Sequence, residues 1–432
     1  MIRIASTALV ALSLAACVKG APDIPEATFD GGSLALPECG YTVVNRVGAQ
    51  APERATAETG DDPTPRQIRL GLIGDPKTSI VVQWRTADET TKATTVRYGV
   101  GTALDQTATG LTYAFEAGFG DAVPIRMHEG HLCGLQPDTQ YSYQVGSVDA
   151  AGGEHFSTVG TFRTAPDIVA HPDAEVVIAV VGDSRDGASV LAQVSTLLAS
   201  KAPDLILFSG DAVTLGQIQS EWEEFFDAAE PLFRTAPVIS AHGNHEANAI
   251  NYYAQFAMPG DEENYSLDYG FAHLTVLNDT PADDGAIVGS TKTFLDADLT
   301  ASDGARWKLV MHHQPMWSAS TRHGSSTTLR DAWQPLFDTH NVDLVLSGHD
   351  HDYERSKPMK GMTPQATPAD GTVYMVSGGA GAELYDNGTD FWTQYSEKTH
   401  GAAILRIRKD QLSAEVFHPD GSTLDTFSET KP

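Results

Sequence analysis

The second half of the chain contains a series of short, near-continuous apolar runs. Runs without polar alternation predict strands that are buried on both faces of a sheet. Segments between several of them have the apolar spacing of helices, at residues 189–200, 221–233 and 329–340. Buried strands that alternate with helices predict a layered α/β fold with a largely parallel or mixed sheet over residues 173–432. The apolar runs are residues 175–181, 205–209, 237–241, 273–277, 308–311, 343–347 and 372–377.

Residues 66–166 follow a different pattern. Short segments that alternate apolar and polar residues are separated by turn-forming residues, at 67–73, 79–85, 94–98, 141–148 and 160–163. A period of two with frequent turns predicts an antiparallel, all-β sandwich of this size.

The N-terminus reads as an export signal. Residues 4–16 form an apolar stretch behind Arg3 that is too short to span a bilayer. The sequence Leu14-Ala15-Ala16-Cys17 resembles a bacterial lipobox, in which the cysteine receives the lipid; the alternative is a plain signal peptide cut nearby. We therefore expect residues 1–17 to be a lipoprotein signal peptide. The mature protein would be exported and lipid-anchored in a bacterial cell envelope, facing the periplasm or the cell surface.

Residues 18–65 are rich in Pro, Ala, Thr, Glu and Asp, which is typical of a tether between a membrane and a folded part. Export implies an oxidising compartment, in which Cys39 and Cys133 could form a disulfide. Two buried free thiols would give the same sequence pattern.

The charge of the chain limits its partners. Its 28 Lys and Arg residues face 57 Asp and Glu residues, for a net charge of −29. Such a chain repels nucleic acid, so nucleic acid is not expected as a structural partner, and a phosphate-bearing ligand needs a local positive site. No apolar run beyond the N-terminus is long enough for a membrane helix.

Polar side chains follow the predicted buried strands at the point where each strand ends. Ligands of open α/β sheets bind at the carboxyl ends of strands, so these residues can converge on one site. A single such residue is more often part of a turn, but the same arrangement after successive strands indicates a shared site. The residues are Asp183, Asp211, Asn244 with His245, His313, and His349 with His351.

Carboxylate, amide oxygen and imidazole groups are ligands for Zn, Mn, Fe or Co. One carboxylate can bridge two ions, and two ions can hold a phosphate and activate a water. Two Asp ligands leave such a dinuclear site positive, so an acidic protein can still bind a phosphate ester.

These motifs resemble the signature of the calcineurin-like metallophosphoesterases, and more closely the branch similar to purple acid phosphatases. Residues 343–355 and the run Ser377-Gly378-Gly379-Ala380-Gly381 carry the closer likeness. Residues 135–141 resemble the tyrosine corner of fibronectin type III domains, with Trp84 at the position of their core tryptophan. The resemblance implies a layered β-sandwich metallophosphoesterase core flanked by helices and preceded by an all-β, fibronectin type III-like sandwich.

The resemblance also implies roles for individual residues. Asp183 and His351 would hold the first of two transition-metal ions (Fe, Zn or Mn), Asp211 would bridge, and the second ion would lie on the remaining ligands. His245 would face the phosphate. The implied function is hydrolysis of small-molecule phosphate monoesters by a hydroxide that two metals activate. The ligands implied for the second ion are Asn244, His313 and His349.

The chain departs from that pattern at two positions. Purple enzymes have a Tyr where this chain has Thr214, so no tyrosinate-to-iron colour is expected. Many other relatives have a His where this chain has Arg185. A guanidinium cannot ligate a metal, and we interpret Arg185 as a phosphate clamp; a salt bridge pointing away is the alternative. His323 occupies roughly the position of a leaving-group histidine, although an exposed loop histidine is an equal interpretation.

Two other functions remain open at this stage. The same metals cleave diesters when the pocket admits them, so phosphodiesterase or nucleotidase activity is a second enzymatic hypothesis. A non-catalytic surface lipoprotein with a decayed metal site is a third, supported by Arg185 and Thr214. The sequence specifies neither the metal pair nor an oligomeric state.

Overall fold

The computed structural model describes residues 31–117 and 124–432. The predicted signal peptide and lipobox, residues 1–17, lie outside this range. No helix among the described residues is long and apolar enough to cross a membrane. Up to residue 166 the strands are β1 Ser33–Leu36, β2 Tyr41–Val44, β3 Glu53–Arg54, β4 Pro65–Gly71, β5 Ser79–Thr86, β6 Thr95–Val100, β7 Gln106–Thr109, β8 Leu111–Phe115, β9 Ile125–Cys133, β10 Gln140–Val148, β11 Glu154–Phe156 and β12 Gly160–Arg163.

The first domain is an antiparallel sandwich, as predicted. One sheet has the order β3-β8-β9-β5-β4, and the other has the order β11-β10-β6-β7 with β12 also paired to β10. Trp84 from the first sheet and Tyr143 from the second are fully buried in one shared core. The predicted tyrosine corner is present, because the Tyr141 hydroxyl accepts a hydrogen bond from the Gln136 amide at 2.9 Å.

The predicted tether over residues 18–65 is wrong for residues 31–65, which fold onto the sandwich. Strands β1 and β2 form a hairpin, and β3 pairs with β8. Leu36 and Val43 are buried against Phe115 of β8, and Cys39 forms a disulfide with Cys133 at the end of β9. A few apolar residues and one covalent link therefore order a segment whose average composition is typical of a linker.

The second domain begins with β13 and alternates strands with helices. Its elements are β13 Val176–Val181, α1 Ala188–Ser200, β14 Leu205–Phe208, α2 Gln219–Phe233, β15 Val238–Ser240, α3 Ile250–Tyr253, β16 Tyr265–Tyr269, β17 Ala272–Val276, α4 Gly285–Val288, α5 Ser290–Ala301, β18 Trp307–Met311, α6 Thr327–His340, β19 Leu344–Ser347, β20 Tyr353–Ser356, β21 Met359–Lys360, β22 Thr363–Pro364, a 3₁₀ turn Pro368–Asp370, β23 Val373–Ser377, β24 Thr393–Glu397, β25 Ala402–Ile407, β26 Gln411–Phe417 and β27 Thr423–Thr430. The predicted buried strands and three helices of this domain are confirmed.

Two mixed sheets form the centre of this domain. Their orders are β15-β14-β13-β25-β26-β27 and β16-β17-β18-β19-β23-β20-β24. In the first sheet β13, β14 and β15 are parallel, and in the second β17, β18, β19 and β23 are parallel. The predicted layered β-sandwich flanked by helices is therefore confirmed.

Adjacent residues of one strand show how the layers pack. Leu309 belongs to the core between the sheets, whereas Val310 belongs to a second core with Leu295 of α5 and Trp333 of α6. Because successive side chains of a strand point to opposite faces, each strand buries one row of apolar residues against each layer. This explains why the runs are continuously apolar.

The core between the sheets continues into the first domain. Ile68 and Tyr143 of the sandwich belong to the same cluster of buried residues as Leu232 of α2. Leu70 of β4 forms an isolated parallel β-bridge with Pro237. The Tyr143 hydroxyl donates a hydrogen bond to the carbonyl of Arg234 at 2.8 Å. The two domains therefore share one hydrophobic core.

Candidate metal centre

The loops that follow β13, β14, β15, β18 and β19 meet at one edge of the two sheets. Backbone hydrogen bonds link them: the Asp183 amide donates to Gly210 at 3.0 Å, and the Gly348 amide donates to His313 at 2.9 Å. Since each loop leaves the carboxyl end of a buried strand, the strands fix where its polar side chain lies.

The predicted ligands lie together and form two groups of potential metal donors. Asp211, His313 and His349 each offer a ligand atom, and these atoms lie within 4.8 Å of one another. Asp183, Asp211 and His351 form the second such group. Asp211 therefore belongs to both groups, which is the arrangement expected of a bridging carboxylate.

Contacts around His313 bring Asn244 into the first group. The Nε2 atom of His313 lies 3.2 Å from Oδ1 of Asp211, 3.2 Å from Oδ1 of Asn244 and 3.2 Å from Nδ1 of His349. The other ring nitrogen of His313 lies 2.8 Å from the Ser209 carbonyl and donates to it. This leaves the Nε2 lone pair directed at the donor group.

His351 is oriented in the same way. Its Nδ1 atom lies 2.7 Å from the carbonyl of Glu383, and its Nε2 atom lies 3.6 Å from Oδ1 of Asp183. A carbonyl accepts only, so Nδ1 carries the proton and Nε2 has its lone pair available for a cation.

The backbone of the site departs from ordinary conformations. Asp183, Arg185, Asp211 and His349 have φ angles of 58°, 42°, 56° and 67°, in the left-handed region. Each such non-glycine residue costs about 1–3 kcal/mol. Gly348 packs so closely that a Cβ atom there would lie 2.0 Å from Oδ2 of Asp183. The fold thus holds the carboxylates at the strand ends in conformations that the chain does not favour by itself.

Glu246 holds the loop that carries the shared carboxylate. Its Oε2 accepts hydrogen bonds from the amides of Asp211 at 2.9 Å and Gly243 at 2.7 Å, and its Oε1 accepts one from Ala212 at 2.7 Å. Burial, with the nearby Asp211 carboxylate, raises the pKa of Glu246 to about 7. The motif that follows β15 contains this residue, but the sequence gives no indication of its positioning role.

The electrostatics of the centre fit the binding of cations. Burial raises the pKa of Asp183, whose Oδ2 is buried without a hydrogen-bond partner in the described structure. Burial and the neighbouring His313 lower the pKa of His349 to about 2, and burial lowers that of His351 to about 4. Burial alone would lower the pKa of His313, but the Asp211 and Asp183 carboxylates outweigh burial and raise it. The neutral imidazoles of His349 and His351 beside these carboxylates are a donor set for divalent metals.

His312 and His313 separate as strand alternation predicts. The Nδ1 atom of His312 lies 3.1 Å from Asp279, and its ring packs edge-on against Trp333 on the opposite face of β18. His312 therefore lies away from the donor groups.

The other predicted site residues border the donor groups. Nδ1 of His245 lies 2.5 Å from the Thr214 carbonyl and its Nε2 lies 3.9 Å from Asp211. The ring of His323, which is exposed, lies 4.2 Å from the ring of His349. Arg185 has no carboxylate within 4.0 Å among residues 31–117 and 124–432, so the alternative of a salt bridge is wrong for the described structure.

Tyr385 is a site residue that the sequence did not indicate. Its ring stacks on His351 at 4.1 Å with an interplanar angle of 17°, and lies 5.5 Å from the ring of His323. Burial raises the pKa of Tyr385, and the positive charge of the nearby Arg185 guanidinium opposes this. The residue follows no predicted strand, so only the folded chain brings it to the centre.

Comparison with known protein families agrees with this geometry. The profile of the calcineurin-like phosphoesterases matches residues 176–353, and that of the purple acid phosphatase N-terminal domain matches residues 65–164. Residues 176–353 therefore form a calcineurin-like phosphoesterase domain, and residues 65–164 form a purple acid phosphatase N-terminal domain. In this combination of domains the chain is similar to purple acid phosphatases.

Individual relatives span most of the chain. Acid phosphatase type 7 of Homo sapiens is 29% identical over 79% of this chain and 85% of its own length. Purple acid phosphatase 21 of Arabidopsis thaliana is 25% identical over 84% of each chain. The solved structure of purple acid phosphatase PPD1 from yellow lupin (Lupinus luteus) matches with a TM-score of 0.73 at 20% identity, over 85% of this chain and 74% of that one. The last likeness supports the fold.

Proposed function

We propose that this protein is an exported phosphatase that hydrolyses small-molecule phosphate monoesters at a dinuclear metal centre. The observation that carries the proposal is the membership of Asp211 in both donor groups. A carboxylate shared between two groups of this composition is the arrangement by which two ions are held close together. The names of the relatives, acid phosphatase and purple acid phosphatase, support the choice of reaction.

The donor groups define which residues would hold the ions. Asp183 and His351 would hold one, Asp211 would bridge, and the first group with Asn244 would hold the other. Fe, Zn or Mn suits these oxygen and nitrogen donors. When bound, such ions supply Lewis acidity toward the phosphate and activate a water.

The residues at the border of the donor groups have distinct roles in this proposal. His245, fixed by its hydrogen bond to Thr214, faces the phosphate oxygens. Arg185 binds the same oxygens with a guanidinium that has no carboxylate partner in the described structure. His323 gives a proton to the leaving oxygen, a step that matters most for alkyl esters, whose alkoxides are poor leaving groups.

Metal analysis with a pair of substrates tests the function. We expect about two transition-metal ions per purified chain and faster hydrolysis of an aryl monoester than of a bis-aryl diester. A large excess of diester hydrolysis would favour a phosphodiesterase or nucleotidase instead. Less than about one ion per chain after reconstitution would favour a non-catalytic protein.

We also propose that the protein is lipid-anchored at Cys17 in the cell envelope. The disulfide between Cys39 and Cys133 supports export, because such bonds persist in oxidising compartments. Cys17→Ala is expected to move the protein out of the membrane fraction, with Cys133→Ala as a control that keeps the lipidation site. Membrane association that survives Cys17→Ala would contradict the anchor.

A further inference from the structure

Two arginines and a tyrosine lie together at the outer border of the donor groups. Burial raises the pKa of the Tyr385 phenol, and the positive charge of the nearby Arg185 opposes this. The guanidinium carbon of Arg322 lies 5.7 Å from the centre of the same ring, within the range of a cation–π contact. Because Tyr385 also stacks on His351, the three side chains adjoin the position proposed for the reacting phosphate.

Hydrogen bonds hold the two loops that carry Arg322 and Tyr385. The amide of Thr321 donates to the Asp386 carbonyl at 2.8 Å, and the amide of Gly388 donates to the Ala319 carbonyl at 3.0 Å. The amide of Tyr385 donates to the carbonyl of His351 at 3.0 Å. The border is therefore tied to a predicted metal ligand and is ordered before any substrate binds.

The charge of this border is unusual for the molecule. In a chain of net charge −29, neither Arg185 nor Arg322 has a carboxylate within 4.0 Å in the part of the chain that the structure describes. Nε of Arg185 is also buried without a hydrogen-bond partner there. Most other arginines of the described residues have carboxylate partners, and Arg69, Arg126, Arg306 and Arg330, which have none, donate to backbone carbonyl groups instead. The paired arginines include Arg54, Arg66, Arg85, Arg97, Arg163, Arg355, Arg406 and Arg408.

Unpaired guanidinium groups beside a phosphate site are suited to an anion. Arg185 follows the predicted ligand Asp183 by two residues, whereas Arg322 is exposed on the loop between β18 and α6. The Tyr385 hydroxyl carries a proton that it can donate to an acceptor. Arg322 and Tyr385 thus offer donors for an acceptor that is distinct from the reacting phosphate.

We propose that Arg322 and Tyr385, supported by Arg185, form a subsite for a second anionic group of the substrate. The protein then prefers phosphate esters that carry a carboxylate or another phosphate near the ester that is cleaved. This inference rests on the proposed phosphatase function and names the substrate class of that site.

Matched substrate pairs test the preference with the metal-loaded enzyme. The carboxylate pair is 3-phosphoglycerate against glycerol 3-phosphate, and the phosphate pair is fructose 1,6-bisphosphate against fructose 6-phosphate. We expect kcat/KM to be about fivefold or more higher for the anionic member of at least one pair, mostly through KM. The pair that shows the larger ratio identifies which anion the subsite takes.

Variants of the two subsite residues test whether the preference for the anionic substrate comes from the subsite. Arg322→Gln and Tyr385→Phe are expected to bring the ratio toward one. Arg408→Gln, which removes an exposed arginine paired with Glu175 on a different part of the domain, is the control and should keep the ratio. A ratio near one in the unmodified protein, or a ratio that Arg322→Gln does not change, would overturn the subsite.

A binding measurement keeps this result separate from the proposed function. Calorimetry compares phosphonoacetate with methylphosphonate, neither of which is a phosphate ester. We expect tighter binding of phosphonoacetate and loss of that difference in Arg322→Gln. If no ester is hydrolysed but the difference is found, the phosphatase proposal fails and the subsite stands. Equal binding of both compounds rules out the subsite.

Discussion

Each domain of the protein contains a buried cluster of histidine and acidic side chains, and the two clusters differ in how their polar atoms are satisfied. In the sandwich, Glu129 of β9 accepts hydrogen bonds from Gln83 at 2.7 Å and Tyr113 at 2.9 Å. Its other oxygen lies 3.0 Å from His131, whose second ring nitrogen lies 2.8 Å from the Tyr41 hydroxyl. This β9 cluster is closed by protein atoms.

The cluster at the strand ends of the second domain is open. Oδ2 of Asp183 is buried without a hydrogen-bond partner in the described structure, and the Nε2 atom of His313 faces only other potential ligand atoms. Asp183, Asp211 and His349 also have positive φ angles, whereas no residue of β9 is recorded with one. Similar side chains therefore stabilise the fold in one place and are held ready for a ligand in the other.

Replacing one carboxylate by Ala in each cluster, in two separate variants, gives the strongest test of this difference. Asp211→Ala is expected to lower kcat/KM about a thousandfold or more, because both donor groups lose the same ligand. Elemental analysis of the purified variant should show that bound transition metal is lost from both groups.

Glu129→Ala is the matched control for Asp211→Ala. It is expected to lower the free energy of unfolding by about 3 kcal/mol, because it leaves His131 and Gln83 without their acceptor. At a temperature where the variant is folded, kcat/KM should stay within about twofold of the original. Full activity in Asp211→Ala, or an equal loss in Glu129→Ala, would show that the two clusters do not differ as proposed.

The sequence predicts the open cluster better than the closed one, and the reason is physical. Each ligand of the open cluster directly follows a buried apolar strand, so the pattern of residues such as Asp183 and His313 reveals the edge where they meet. Glu129 and His131 lie within a strand, and their partners Tyr41 and Gln83 are distant in sequence. Tyr385 reaches the metal centre through a loop of no regular structure, which periodicity does not detect.

In the fold too, features that depend on local sequence spacing are predicted, and features that depend on distant contacts are not. Buried strands and amphipathic helices are encoded in local spacing, and those of the second domain are found where they are expected. The folding of residues 31–65 depends on a disulfide to Cys133 and on contacts of Leu36 with residues of the sandwich. Such distant contacts outweigh a composition that by itself indicates a linker.

The disulfide offers a test of the first domain, which contains the β9 cluster. Cys39 and Cys133 are separated by 94 residues, so the bond removes much freedom from the unfolded chain. Replacing both by Ser is expected to lower the free energy of unfolding by about 4 kcal/mol, measured by urea titration. kcat/KM at a permissive temperature should be unchanged; a large loss of activity would indicate that the first domain shapes the metal centre.

A third buried cluster lies in the second domain, but its histidine is hydrogen-bonded by protein atoms as in the β9 cluster. It tests whether such a cluster stabilises the fold in this domain too. His273 of β17 lies 2.7 Å from Asp268 and 3.0 Å from Asp298. Burial by itself lowers the pKa of His273, but these hydrogen bonds outweigh it and raise the pKa to about 9. A raised pKa stabilises the folded state fully below pH 6.5, the ordinary value, and this contribution is lost as the pH rises through 9.

The unfolding free energy should therefore fall by up to about 3 kcal/mol between these pH values through this group. His273→Gln removes the titration, so the difference in stability between the two proteins should shrink over the same range. Urea titrations at several pH values measure it, and a difference that is independent of pH would contradict a charged His273 in the fold.

The smallest expected effect belongs to the border of the open cluster. Arg185→Gln should raise KM for a monoester about tenfold, because a charge-assisted contact with the phosphate is lost, and should change kcat less. Arg97→Gln, at an arginine paired with Glu154 in the sandwich, is the control. A loss confined to kcat would instead mean that Arg185 acts on the reaction step rather than on binding.

The hydrophobic core that passes from β4 and β10 into α2 has a consequence for how the protein can be divided. A fragment cut at residue 166 would leave Leu232 and its neighbours uncovered, so neither half is a self-sufficient module. Both halves should melt together in a single transition, and grafting a foreign sandwich onto the catalytic half would require a redesigned border.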